Sequence, residues 1–211
     1  MPGPAAEGPA DGWWARLPDD GGPGGHTLVW VASHEFPANT VVTLPGSRRP
    51  AAWRVAVRGE GPAAPISSVE VALPDAPLLW YVELPEPEAA PGAATLVAFS
   101  DPRYAGGTVL TAGEARAAGV AGEQQVAAFR WWTDSGLVHQ IYVSPEHRRK
   151  RVMLTLAHAA FAVQGMRGGP PLHGDGRRTD DGEAFARALP SYGAWRAVPR
   201  TEHLPSMTPG N

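Results

Sequence analysis

The chain has 211 residues, no cysteine and a formal net charge of −3. That length suits one medium domain whose core needs no staple, and without cysteine there is no disulfide, thiolate metal site or thiol nucleophile. The acidic balance argues against a general nucleic-acid binder, and no apolar run is long enough to span a membrane.

Of the 18 cations only Lys150 is a lysine. Together with the high Ala, Gly and Pro content, this reads as the codon bias of a GC-rich genome rather than as selection for arginine chemistry. The start "MPGPAAEGPADG" lacks the basic residues and apolar stretch of a secretory signal, so a soluble, cytoplasmic protein is expected.

Residues 1–25 are rich in Gly, Pro and Ala, with only Trp13, Trp14 and Leu17 to offer a packing surface. Such a segment predicts a flexible arm, although the Trp13-Trp14 pair gives it something to dock with. Residues 26–105 predict a β-rich region. "HTLVWVA", "TVVTLP", "AAWRVAV", "SSVEVALP", "LLWYVELP" and "TLVAFS" are short runs of β-branched and aromatic residues broken by Pro and Gly. No internal repeat at a fixed period is evident.

Residues 106–200 change character. "TAGEARAAGV" has Thr111 and Glu114 at capping-box spacing and predicts a helix. "QQVAAFRWW", the turn "TDSG" and "LVHQIYVSP" predict two strands joined by a tight turn. A helix from about Glu146 to Val163 is apolar nearly all round, which predicts burial on most sides, commonly against a sheet. A last helix is expected after "GDGRRT", with Asp180 and Glu183 at capping-box spacing. Residues 201–211 read as a tail.

The corner "SPEHRRKRV" joins a strand to the buried helix through Arg148, Arg149, Lys150 and Arg151. A helix start offers free N–H groups and a positive dipole end, a combination that attracts phosphate. Cations there oppose the dipole by some tenths of a kcal/mol to about 1 kcal/mol each, and a bound anion would remove that conflict. A solvated first turn is the other reading of the same residues.

"LVHQIYVSPEHRRKRVMLTLAHAAF" resembles the central motif of the GNAT-type N-acetyltransferases, and the hairpin "VAAFRWWTDSGLVHQIYV" is similar to that family's two central antiparallel strands. The resemblance runs from about Gln124 to Val163 and extends toward Leu189. It is weak before Ser100, where the family has helices rather than β-type runs. It implies an α/β fold with a mixed, largely antiparallel central sheet flanked by helices, carrying a β-rich N-terminal half. It also implies acetyl-CoA as co-substrate and an amine as acceptor, with acyl transfer directly between them.

By the same resemblance, Tyr142 and Val143 would orient the pantetheine arm, and Arg148, Arg149, Lys150, Arg151, Val152 and Met153 would hold the pyrophosphate. The family's loop places Gly where this chain has Arg151, and Gly or Ala where it has Met153. Those small residues let phosphate oxygens approach the backbone. The alternative is therefore a catalytically degenerate member acting as a binding or structural module.

His139 is the nearest residue of a type suited to a general base, and Tyr192 is a candidate acid for the leaving thiolate. Regular strand alternation would put His139 and Tyr142 on opposite faces. Other constellations are set aside. His147 and His158 lie about three helical turns apart with no second ligand one turn away, so no metal is expected. "LHGDGRRTDDGE" lacks the acidic alternation of a Ca²⁺ loop and reads as a helix-start loop flanking the acyl-CoA cleft. "HRRKR" is too short a run to make a nucleic-acid surface, and no membrane partner is expected.

Overall fold

The structure, a computed structural model, describes residues 12–18, 25–46, 48–188 and 198–204. Five strands come first: β1 (Trp13–Pro18), β2 (His26–Val31), β3 (Val41–Thr43), β4 (Trp53–Gly59) and β5 (Ile66–Val71). They form one sheet in the order β3-β1-β2-β4-β5. Five more follow: β6 (Trp80–Glu86), β7 (Ala93–Phe99), β8 (Val109–Thr111), then α1 (Ala112–Ala117), β9 (Ala127–Trp132) and β10 (Val138–Val143). Their sheet has the order β10-β9-β7-β6-β8. Next come α2 (Val152–Met166), β11 (Arg177–Arg178), α3 (Asp180–Ala188) and β12 (Glu202–His203). The α/β class and the mixed, mostly antiparallel sheets agree with expectation. A single central sheet flanked by helices does not form; two sheets lie around one helix.

The two sheets are copies of one topology. In each, the first strand pairs antiparallel with the second and parallel with the third, and the fourth joins the second and fifth. The registers correspond along the middle of each sheet. Trp14 faces Val41 and Trp30, Trp30 faces Val55, and Val55 faces Val71. In the second unit Tyr81 faces Val109 and Ala98, Ala98 faces Ala127, and Ala127 faces Val143.

Side chains repeat with the backbone. Trp13 Nε1 donates to Ser33 Oγ at 2.8 Å and stacks edge-on against Phe36; Trp80 Nε1 donates to the Asp101 carbonyl at 3.1 Å and stacks edge-on against Tyr104. The sequence thus does contain a repeat: "WWARLP" answers "WYVELP", and "TLV" and "TVVT" answer "TLV" and "TVLT". Unequal connections between strands hide it from a search for one fixed period.

α2 explains its own composition. It packs against β2, β4 and β5 of the first unit and β7 and β9 of the second. Enclosed on both sides, it buries thirteen named residues, from Val152 to Met166, and has no polar stripe to present. The shared core gathers Trp14, Trp30, Phe129, Trp131, Leu156 and Phe161, while smaller clusters around Trp13 and Trp80 cover the opposite sheet faces. The sheets meet edge to edge, where Ser68 bridges Thr108 and the Val69 N–H donates to Gly107 O at 2.8 Å. Gly107 has φ of 90°, and a Cβ there would lie 2.9 Å from Val69 O, so the junction requires glycine.

The expected flexible arm is corrected over Trp13–Pro18, which is strand β1 with Trp13, Trp14 and Leu17 buried. Trp14 stacks on Phe161 at 5.2 Å, so two tryptophans supply the burial that the surrounding Gly and Pro cannot. α1 carries the expected capping box: Glu114 N–H donates to Thr111 Oγ1 at 3.2 Å, and Thr111 N–H to Glu114 Oε2 at 2.8 Å. In α3 the cap differs. Thr179 accepts from Gly182 N–H, while the Glu183 carboxylate turns to Arg178 and Arg187. No helix among the described residues is long and apolar enough to cross a membrane.

Candidate functional site

The expected helix start at Glu146 is corrected to Val152. After β10 the chain makes a 3-10 turn over Pro145–His147, and Arg149 and Arg151 then take φ of 60° and 58°. Left-handed residues cannot continue a right-handed helix, so Arg148 to Arg151 form a loop ahead of α2. Arg151 is the N-cap and provides no side-chain cap; the first backbone bond of the ladder runs from Thr155 N–H to Arg151 O at 3.0 Å. The N–H groups of Val152, Met153 and Leu154 therefore have no acceptor within the helix. Arg151 thus holds a conformation that glycine favours.

The corner is anchored beneath. Ser144 is buried, its Oγ donating to Val126 O at 3.2 Å and contacting His147 Nδ1 at 2.9 Å. Glu146 Oε1 is 3.5 Å from that same Nδ1. Its own main-chain N–H holds the Glu146 carboxyl below the usual carboxylate range. Serine and carboxylate both address one ring nitrogen, so this trio cannot relay a proton as a nucleophilic triad does.

The four cations do not act alike. Arg149 and Lys150 are exposed. Arg148 Nε reaches Val143 O at 3.4 Å, and Arg151 Nη1 donates to Pro74 O at 2.5 Å with Asp75 Oδ2 at 3.9 Å. Val152 is buried and Met153 packs partly buried against the core, so both turn their side chains inward.

Tyr142 and Val143 also differ. Ser144 N–H donates to Val126 O at 2.9 Å. Alternation from there turns the main-chain groups of Tyr142 toward β9 and those of Ile141 and Val143 toward the outer edge of β10. Along that edge Leu137 forms a parallel bridge with His173, and the Val138 N–H donates to His173 O at 2.8 Å. Beyond this bridge no described strand pairs with the outer edge of β10. This edge, with Val143 O met by Arg148 Nε, leads straight to the uncapped helix start.

His139 is not where regular alternation would put it. The pairing steps from Val138–Trp131 to Gln140–Arg130, which leaves His139 as the extra residue of a β-bulge. The bulge brings His139, Gln140 and Tyr142 to the same exposed face. The His139 ring lies 4.5 Å from that of Trp132, and the Arg130 guanidinium lies over the same indole at 4.7 Å. Arg130 is paired with Glu86 through bonds of 3.1 and 2.8 Å, which hold the Glu86 carboxyl below its usual range. Sequence spacing did not disclose this polar row, because it crosses strands from distant parts of the chain. Tyr192 lies outside the described residues.

Among the described residues no cluster of three or more His, Asp or Glu is arranged to hold a metal ion. His158 is fully buried in α2, its Nδ1 2.9 Å from Leu154 O. Comparisons with profiles of known families, with curated proteins and with solved structures gave no match.

Proposed function

We propose that the second unit binds acetyl-CoA and transfers its acetyl group to an amine. The observation that carries this reading is the uncapped first turn of α2, opened by left-handed Arg151 and flanked by exposed Arg149 and Lys150. Three N–H groups and two exposed cations suit a pyrophosphate. The pantetheine arm would lie along the outer edge of β10, bonding to the main-chain groups of Ile141 and to the Val143 N–H. The acetyltransferase likeness then resides in β9, β10 and α2.

In the reaction the deprotonated amine attacks the thioester carbonyl, the new C–N bond forms, and the C–S bond breaks to release CoA thiolate. His139, exposed near the same strand edge, is the candidate acceptor of the amine proton. Tyr192 retains its proposed role as proton donor to the thiolate.

A second reading has its own observation. Arg151 spends its guanidinium on Pro74 O and Asp75, so the loop also fastens the helix start to the connection between β5 and β6. On that reading the fold is a binding or structural module without transfer activity.

Calorimetric titration with acetyl-CoA separates the two. Saturable binding that weakens about tenfold in Arg149→Ala/Lys150→Ala, a change of about 1.4 kcal/mol, supports the enzyme. Ligand at a hundredfold excess over Kd should also stabilise the fold by about 2.7 kcal/mol. Absence of binding at millimolar acetyl-CoA rules the enzyme out.

A further inference from the structure

The duplication permits a comparison of the two units on the sheet faces turned away from α2. In the second unit, the apolar cluster of Trp80, Val82, Phe99 and Leu110 is closed by α1, which contributes buried Ala115, and by Val120 after it. In the first unit, the corresponding connection from β3 to β4 is shorter and contains no helix. Beside that connection lies an open groove of about 680 Å³, lined by Trp13, Glu35, Leu44, Arg48, Arg49 and Trp53 among others.

Three features show that this cleft is built rather than merely left over. The pairing of β2 with β4 steps from Trp30–Val55 to Val31–Trp53, so Arg54 is the extra residue of a bulge that re-aims Trp53 into the cluster around Trp13. Ala52, just before it, has φ of 61°, a conformation costly for any residue with a Cβ. Arg49 lies over the Trp53 ring at 4.6 Å, and Glu70 fixes its guanidinium through bonds of 2.8 and 2.5 Å. The result is an aromatic wall with a pre-positioned, already neutralised arginine. Arg48 stands exposed on the rim and makes no ion pair among the described residues.

We propose that this cleft binds a small organic monoanion with a flat apolar body, such as an aromatic carboxylate. The body would lie against the Arg49–Trp53 stack and Leu44, and the carboxylate would meet Arg48. The volume matches a small-molecule site. Glu35 on the same rim opposes a second negative charge, which favours a monoanion over a polyphosphate. This site belongs to the first unit and is independent of the acetyl-CoA reading.

The test uses the full chain and three probes that share one ring system: 2-naphthoate, 2-naphthylmethanol and 2-naphthylmethylamine. Binding is read by quenching of tryptophan fluorescence and by the NMR shift of the Trp53 indole N–H. Expected is saturable binding of 2-naphthoate that shifts the Trp53 signal. It should be about tenfold weaker for the alcohol, for the amine and for the Arg48→Ala variant. Saturating acetyl-CoA should leave it unchanged. The proposal is overturned if no probe saturates at millimolar concentration, or if the amine or alcohol binds as tightly as the carboxylate. It is equally overturned if Arg48→Ala has no effect, or if the shifts fall on Trp14 instead of Trp53.

Discussion

Arg167 and Glu83 form a two-point ion pair, Nε to Oε1 at 3.0 Å and Nη2 to Oε2 at 2.6 Å, at the C-terminal end of α2. The remaining guanidinium nitrogen donates to Pro62 O at 2.8 Å and Ala64 O at 2.5 Å. One side chain therefore ties the helix end to β6 of the second unit and to the β4–β5 connection of the first. A cation at this end also complements the helix dipole.

Removing Arg167 would leave the Glu83 side chain, only 7% exposed, without its partner. Arg167→Ala should lower unfolding free energy by about 3 kcal/mol in urea denaturation. The pair Arg177–Glu202 has both side chains 55% exposed. Arg177→Ala should change stability by less than about 1 kcal/mol. Equal effects of the two substitutions would refute this account of how the units are held together.

Trp14 depends on a glycine of α2. A Cβ at Gly165 would come within 2.7 Å of Trp14 Cζ2. The indole lies between β1 and the helix and has little room to retreat. Gly165→Ala should therefore destabilise the fold by about 1–3 kcal/mol despite alanine's better helix propensity, and it should perturb the Trp14 indole signal by NMR.

The two left-handed arginines provide a matched pair. Arg149 is exposed, so Arg149→Gly chiefly relieves backbone strain, and thermal unfolding should show a gain of up to about 1 kcal/mol. Arg151→Gly gives up the bond to Pro74 O and should gain less. On the enzyme reading, Arg151→Gly should nevertheless tighten acetyl-CoA binding, since phosphate could approach the backbone more closely.

The hydrogen bond and charge of Arg49 hold the Glu70 carboxyl below its usual range, against the opposing effect of partial burial. A depressed folded pKa contributes stability that is fully present above the unfolded value, about 4.3 for glutamate, and is lost as pH falls through the folded value. Acid titration of stability should thus show a loss below about pH 4 that is reduced in Glu70→Gln. Glu70 is half exposed, so the difference should be a few tenths of a kcal/mol.

Much of the local structure was legible because it depends on local chemistry. The strand runs after His26, the capping box of Thr111 and Glu114, the hairpin around "TDSG" and the buried character of α2 all follow from residue type and spacing. What was misplaced involved distant partners. β1 was hidden because Trp13 and Trp14 find their burial against residues far along the chain, and the start of α2 moved because two arginines adopt a conformation that their type disfavours.

By itself, then, the sequence determined an α/β chain of short strands, a wholly apolar helix and a cationic corner at that helix's entry. Only the tertiary structure decided that the strands form two copies of one sheet around that helix. The bulge at His139, the fastening of Arg151 to the β5–β6 connection and the open cleft beside Trp53 were decided there too. The physical reason is range. Propensity, capping and turn chemistry act over a few residues, whereas strand register, edge joining and enclosure of a helix are fixed by contacts between segments that the sequence keeps far apart.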